Sequence, residues 1–260
     1  MIDTHCHLCD QRFDKDRQQV FDRAHHARVT HLVEIAYAPE IVPRAFDLAR
    51  EHPNVYLCVG VHPSESAKVP DSYLDTLRDH ARHPRVVAIG ETGLDFYRDY
   101  APHEAQERWF RAQIRLADAV GLPVVIHQRS ALEETLGILE EMRPAAGGVL
   151  HCFDDGPAAA ERAAALGFKL GLGGVLTYGH PPLEEAVRTA PAGMLVLETD
   201  SPYLEPEPRS LRRNEPGLLA RVAPRLATLR GWTLEEVDRI TTANACDLFR
   251  FPLGIPAASA

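Results

Sequence analysis

The chain has 260 residues, 28 Lys and Arg against 37 Asp and Glu, a formal net charge of −9, and 45% hydrophobic residues. Such a length buries a full core as one large domain. The acidic balance excludes nucleic-acid binding through a broad basic face, so any anionic substrate must be gripped locally, by metal ions or a few arginines. No apolar run suits a membrane span, and the polar groups within residues 1–8 leave no signal-peptide core, so a cytoplasmic setting with no membrane contact is expected.

The first predicted strand is Ile2–His7. Strand side chains alternate faces, so His5 and His7 point one way and Cys6 the other. Cys6-x-x-Cys9 has no second pair to complete a zinc ribbon, and the five dispersed cysteines form no disulfide framework; they are read as small buried hydrophobes. Further short runs rich in Val, Ile and Leu follow at His31–Ala36, Val55–Gly60, Val86–Glu91, Pro123–His127, Gly148–Cys152, Phe168–Gly171 and Met194–Thr199. Helical periodicity fills the gaps. Asp71 and Ser72 suit a helix cap before Tyr73, Pro102 suits a first turn, and Phe110, Ile114, Ala117 and Val120 make one apolar stripe. Leu136, Leu139 and Met142 make another.

The last two helical segments are Pro216–Arg230 and Leu234–Arg250, with a capping box at Thr233 and Glu236. Apolar strands alternating with helices mean a parallel sheet, and eight such units predict a single-domain α/β fold, the (β/α)8 TIM barrel, over residues 1–251. The tail, 252–260, is expected to be mobile. An open doubly wound sheet is the structural alternative, but the first strand–helix turn lacks a Gly-rich phosphate loop.

Metal-capable side chains fall where these strands end: His5, His7, His62, Glu91, His127, His151 and Asp200. In a (β/α)8 barrel all strand ends converge on one mouth. Any one of these residues alone would be an ordinary rim or capping group; their shared placement argues for one divalent-metal site. Setting His62 aside, four His and two carboxylates exceed what one tetrahedral ion with an open position accepts, which points to two ions. Glu91 is the expected bridge. His5, His7 and Asp200 would complete one ion, and His127 with His151 the other. Asp200 is also placed to take the proton of an attacking water, which makes Glu91 and Asp200 the catalytic candidates. This ligand mixture admits Mg, Mn or Zn.

The motifs Asp3-Thr4-His5-Cys6-His7-Leu8, Gly60-Val61-His62-Pro63, Gly90-Glu91-Thr92-Gly93-Leu94-Asp95-Phe96-Tyr97, Val125-Ile126-His127-Gln128-Arg129, His151-Cys152-Phe153, Glu198-Thr199-Asp200-Ser201-Pro202-Tyr203-Leu204, Arg213-Asn214-Glu215-Pro216 and Thr242-Ala243-Asn244-Ala245 occur in this order. Together they resemble the TatD family of metal-dependent deoxyribonucleases, among the amidohydrolase-like barrels, from Ile2 to Phe249. The resemblance implies a (β/α)8 barrel with two or three divalent ions. It also implies hydrolysis of DNA, often from the 3′ end and preferring single strands, with the same six ligands. It places His62 and Arg129 near the substrate phosphate. Two departures stand out: Ser130 replaces a common acidic residue, and Asp154-Asp155 replaces a small polar residue.

Phe96, Tyr97, Phe153 and Tyr203 are candidate base-stacking groups, with lid or core packing as the alternative. Arg209, Arg212 and Arg213 form one local basic cluster, a candidate phosphate grip or a loop balanced by Glu205, Glu207 and Glu215. The leading expectation is a metal-dependent deoxyribonuclease needing no obligate protein partner. The alternatives are a two-metal hydrolase of a small ester, lactone or amide, and a non-catalytic barrel; an intact ligand set disfavours the last.

Overall fold

The structure, a computed structural model, describes residues 1–209 and 213–251; Arg212 and the tail 252–260 lie outside the described residues. Eight strands pair in chain order as one parallel sheet. They are β1 (Ile2–Cys6), β2 (His31–Ala36), β3 (Val55–Val59), β4 (Val86–Asp95), β5 (Val124–Arg129), β6 (Gly148–Leu150), β7 (Phe168–Leu172) and β8 (Leu195–Leu197). The sheet returns on itself through a bridge between Cys6 and Ser201, where Asp200 N–H donates to His5 O at 2.8 Å and His7 N–H to Ser201 O at 2.8 Å. This is the expected (β/α)8 barrel.

Helices cover its outer face: α1 (Arg17–His26), α2 (Val42–Glu51), α3 (Tyr73–His80), α4 (His103–Val120), α5 (Leu132–Met142), α6 (Pro157–Ala165), α7 (Pro181–Thr189), α8 (Leu219–Arg230) and α9 (Leu234–Phe249). Strand alternation splits the apolar residues into two packed layers. Leu32, Leu57, Ile89, Ile126, Leu150, Leu170 and Leu197 meet the helices, and the outward Cys6 joins that layer. Ile2, Val33, Ile35, Tyr56, Val87, Val125, Val149 and Val196 fill the barrel interior. Ala245, Leu248 and Phe249 of α9, with Phe251, pack against this inner layer and plug the end opposite the mouth.

Local differences from the sequence reading have physical causes. β4 runs four residues past Glu91. Gly90 and Gly93, at φ 144° and 138°, allow a register shift between Ile89 and Thr92, after which Gly93, Leu94 and Asp95 pair with His127, Gln128 and Arg129. A Cβ at Gly93 would meet His127 O at 2.0 Å, so only glycine permits that pairing. Ser72 precedes α3 but its side chain makes no capping bond, and Pro102 is the residue before α4, not inside its first turn. The capping box of α9 forms as read, with Glu236 N–H donating to Thr233 Oγ1 at 3.1 Å and Thr233 N–H to Glu236 Oε2 at 2.7 Å.

Candidate metal centre

Glu91 sits at the middle of the mouth with its side chain 4% exposed. Its Oε1 lies 2.9 Å from His127 Nδ1 and 3.9 Å from both His62 Nε2 and His151 Nε2. Its Oε2 lies 3.5 Å from His5 Nε2. Asp200, just beyond β8, places Oδ1 3.2 Å from His7 Nε2 and 3.8 Å from His5 Nε2 and His151 Nε2. Among the described residues three triads result, the first two sharing His5: His5, His7 and Asp200; His5, His151 and Glu198; His62, Glu91 and His127, the donor atoms of each lying within 4.8 Å of one another.

The six expected ligands therefore share one cluster, and His62 stands among them. Both ring nitrogens of His5 and Nδ1 of His7 are buried without a hydrogen-bond partner. Orphaned imidazole nitrogens facing buried carboxylates are the donor set of a divalent cation, so the residues present fit such an ion.

Electrostatics agree with this composition. Burial would push Glu91 up, but His5, His62 and His127 outweigh it and hold the carboxyl well below its usual range. Asp200 is lowered in the same way, burial being overcome by His7, His151 and His5. Burial and the neighbouring His151 lower His5, whose ring stacks on that of His151 with centroids 3.4 Å apart. Burial and His127 push His62 down to about 3.

Two carboxylates that sequence reasoning assigned no role, Asp95 and Glu198, flank two of the rings. His127 turns Nδ1 to Glu91 and Nε2 to Asp95 Oδ2, 3.2 Å away. His151 turns Nε2 inward and places Nδ1 2.9 Å from Glu198 Oε1. Burial opposes charge on both rings, but Asp95 and Glu91 raise His127 to about 8, and Glu198, Asp200 and Glu91 raise His151 to about 10. Glu198 fits only because residue 171 is glycine: a Cβ there would meet Glu198 Oε2 at 2.1 Å. The available signal was strand parity, since Asp95 follows Glu91, and Glu198 precedes Asp200, by an even number of residues.

Further buried polar groups fix the backbone around the site. Asp3 accepts from Thr199 N–H at 2.9 Å and Thr199 Oγ1–H at 2.6 Å, tying β1 to the end of β8. Burial raises its carboxyl to about 7. Glu34 accepts from Leu8 N–H at 2.5 Å and Cys9 N–H at 3.1 Å, bracing the exit of β1. From α4, Gln113 donates to Val61 O at 2.9 Å and Thr92 Oγ1 at 2.7 Å and accepts from Val61 N–H at 2.8 Å. One turn pair earlier, Gln106 accepts from Asp95 N–H at 2.8 Å and donates to Asp95 O at 3.1 Å.

The other candidates separate at the rim. Arg129 stacks its guanidinium 3.9 Å from the centroid of Tyr97, and Arg12 lies 4.2 Å over Tyr203. Tyr97 and Tyr203 are 59% and 45% exposed, so they remain available to stack on a ligand. Phe153 is buried in the outer core layer, and Phe96 stacks on His103 with centroids 3.7 Å apart. The basic cluster is internally balanced: Arg213 binds Asp16 through two 2.7 Å bonds, and Arg209 pairs with Glu207 at 3.1 Å. Arg212 lies outside the described residues. Ser130 adopts φ 54°, and Asp155 accepts from Gln128 Nε2 at 2.7 Å.

Known proteins of similar sequence and structure bear on this arrangement. The family model described as TatD related DNase matches residues 2–250. A Bacillus subtilis protein named uncharacterized metal-dependent hydrolase YabD is 37% identical over 252 residues, covering 96% of this chain and 99% of that protein. A Pantoea vagans protein named 3′-5′ ssDNA/RNA exonuclease TatD is 38% identical over 259 residues, covering 96% and 99%. The solved structure of YJJV, a TatD homolog from Escherichia coli K12, superposes with a TM-score of 0.92 at 32% identity, covering 97% of this chain and 98% of that one. The chain belongs to the TatD related DNase family, and its barrel mouth is where that family's metal-dependent hydrolytic chemistry is to be sought.

Proposed function

We propose that this protein is a divalent-metal-dependent nuclease that removes nucleotides from the 3′ end of single-stranded DNA. The observation that carries the proposal is the convergence of buried, unpartnered imidazole nitrogens on Glu91 and Asp200 at the mouth of the barrel. Relatives named 3′-5′ ssDNA/RNA exonuclease, with about the same length and 35–38% identity, support this choice of substrate class and polarity. The charge balance supports a local grip on the substrate, since the chain as a whole is acidic.

In this reading His5, His7 and Asp200 would hold one ion and His127 and His151 the other, with Glu91 shared between them. Bound there, the ions would lower the pKa of water and neutralise the phosphodiester. Asp200, held ionised among three imidazoles, accepts the proton of the attacking water. Asp95 and Glu198 fix which nitrogen of His127 and of His151 faces the centre. His62, kept neutral by burial, and Arg129 at the rim contact the phosphate. The water oxygen bonds to phosphorus, the P–O3′ bond breaks, the penultimate nucleotide's O3′ takes a proton from solvent, and a nucleoside 5′-monophosphate leaves. Among the described residues no helix is long and apolar enough to cross a membrane; the cytoplasmic setting rests on the five free cysteines.

The test is digestion of 5′-labelled single-stranded DNA by pure protein in Mg²⁺, Mn²⁺ or Zn²⁺, with EDTA controls and an RNA strand alongside. Metal-dependent shortening from the 3′ end is expected. A second reading, hydrolysis of a small ester, lactone or amide, is favoured by the carboxylate Asp154 at the cavity edge. Turnover of such a substrate panel orders of magnitude faster than DNA would establish it in place of the first.

A further inference from the structure

The metal centre opens into two lobes that differ in their outer lining. Both include His127, His151, Asp200, Tyr203 and Arg129. The first, about 310 Å³, adds Arg98, Tyr100 and His62, together with Glu91 and with Asp95, which faces His127. Arg98 lies 5.3 Å from the Tyr97 centroid, on the ring that Arg129 also covers. Among the described residues neither guanidinium has a carboxylate within ion-pair distance. Elsewhere around the mouth the arginines are spoken for: Arg12 binds Asp10, Arg213 binds Asp16, and Arg209 binds Glu207. Two unpaired guanidinia beside an exposed tyrosine are a place for phosphate and a stacked base.

The second lobe, about 330 Å³, adds Cys152, Asp154, Val175 and Leu204 and no further cation. Val175 and Leu204 give it an apolar wall. Asp154 is exposed at its edge, and Asp155 beside it is anchored by Gln128. A phosphate entering there would face the Asp154 carboxylate, whose basic neighbours are His180 and the shared Arg129, whereas an uncharged sugar and base would meet an apolar surface and a hydrogen-bond acceptor.

Building on the exonuclease reading above, we propose that the second lobe is a terminal-nucleoside subsite in which Asp154 admits a strand end bearing a free 3′-hydroxyl and rejects one bearing a 3′-phosphate, while Arg98 and Arg129 hold the strand on the upstream side. The lobe then ends the substrate after one nucleoside, which is what makes the cut terminal. Asp154 is a specificity-determining residue here, and Arg98 serves affinity for either kind of end.

The experiment compares two 5′-labelled single strands, identical except for a 3′-hydroxyl or a 3′-phosphate, with the full-length metal-loaded protein at pH 8. Wild type should favour the hydroxyl end in kcat/KM by ~10-fold or more, the scale of one like-charge contact. The ratio should fall in the order wild type, Asp154→Asn, Asp154→Lys, while Arg98→Ala should weaken both substrates and leave the ratio unchanged. Equal rates on both ends by wild type, or a ratio indifferent to the charge at position 154, would overturn the subsite with the exonuclease reading intact. Failure to shorten either strand would overturn the exonuclease reading, and the subsite with it.

Discussion

A carboxylate as enclosed as Glu91 would ordinarily take up a proton, and only the surrounding imidazoles keep it ionised. Glu91→Gln retains the shape and loses the charge, so activity should drop by ~10³-fold or more, within the range for removing an acid–base or metal-bridging group. The metal-free thermal midpoint should hardly move; a fully active variant would remove the bridging role. Glu198 acts one step further out, through His151. Gly171→Ala would push it aside, because the new methyl occupies the space of Oε2. Metal affinity by titration should weaken ~10–100-fold, the usual scale for losing a ligand's outer partner. An unaltered affinity would show that His151 needs no orienting carboxylate. Asp155 offers a pH test away from the ligands. Burial and the neighbouring Asp154 raise its carboxyl from 3.8 to about 6. Its folded pKa thus exceeds its unfolded one, so stability declines as pH rises from 3.8 to about 6, and the ionised form remains a constant penalty above that. Asp155→Asn keeps an acceptor for Gln128 and should stabilise the protein at pH 8 by roughly 1 kcal/mol after allowance for its partial exposure. That gain should shrink toward pH 4 in urea titrations, and a gain independent of pH would mean the charge is not its source.

The strands were legible because the parallel barrel buries both of their faces, which leaves unbroken runs of Val, Ile and Leu between helical segments. Since the barrel gathers all eight C-terminal ends, the residue type at each end was enough to suggest the cluster around Glu91 and Asp200. What stayed hidden depends on contacts between elements. The apolar pattern ends at Glu91, so strand parity pointed to Asp95 only if the strand ran on, and the glycine-assisted register shift that lets it do so and reach His127 is not visible in that pattern. Similarly, the sequence left Arg213 between a phosphate grip and a loop balanced by nearby glutamates, and only the approach of Asp16 from another element reveals its ion pair. Gln106 and Gln113 lie on the buried face of α4, where a polar residue contradicts the apolar stripe, and that contradiction marks a function. Gln113→Ala would strip the buried Val61 N–H and C=O of their partner, costing roughly 2–4 kcal/mol. Because Val61 adjoins His62, activity should fall as well. A variant with full stability would show that water replaces the glutamine.

At the scale of the whole molecule, stability and chemistry occupy opposite ends of the barrel. The inner apolar layer from Ile2 to Val196 and the α9 plug close one end, and the polar cluster crowds the other. The barrel should therefore fold without its ions, with far-UV circular dichroism the same in EDTA as in metal. The mouth alone then bears the cost of close carboxylates and of imidazole nitrogens with no partner. Ions that bind only the folded chain stabilise it by RT ln(1 + [L]/Kd), ~2.7 kcal/mol for each site at a hundredfold excess over Kd. A chain of this size gains ~2–4 °C in Tm for each kcal/mol, so two filled sites should raise Tm by ~10–20 °C over the EDTA-treated protein. The increment should grow with the logarithm of metal concentration, and Glu91→Gln should remove most of it, since that carboxylate reaches both halves of the cluster. A single-site increment in wild type would leave one ion bound and require His62 or a water to take over what the second ion was assigned. A Tm blind to metal would mean that the buried nitrogens are satisfied by water and that the hydrolytic chemistry must be sought elsewhere.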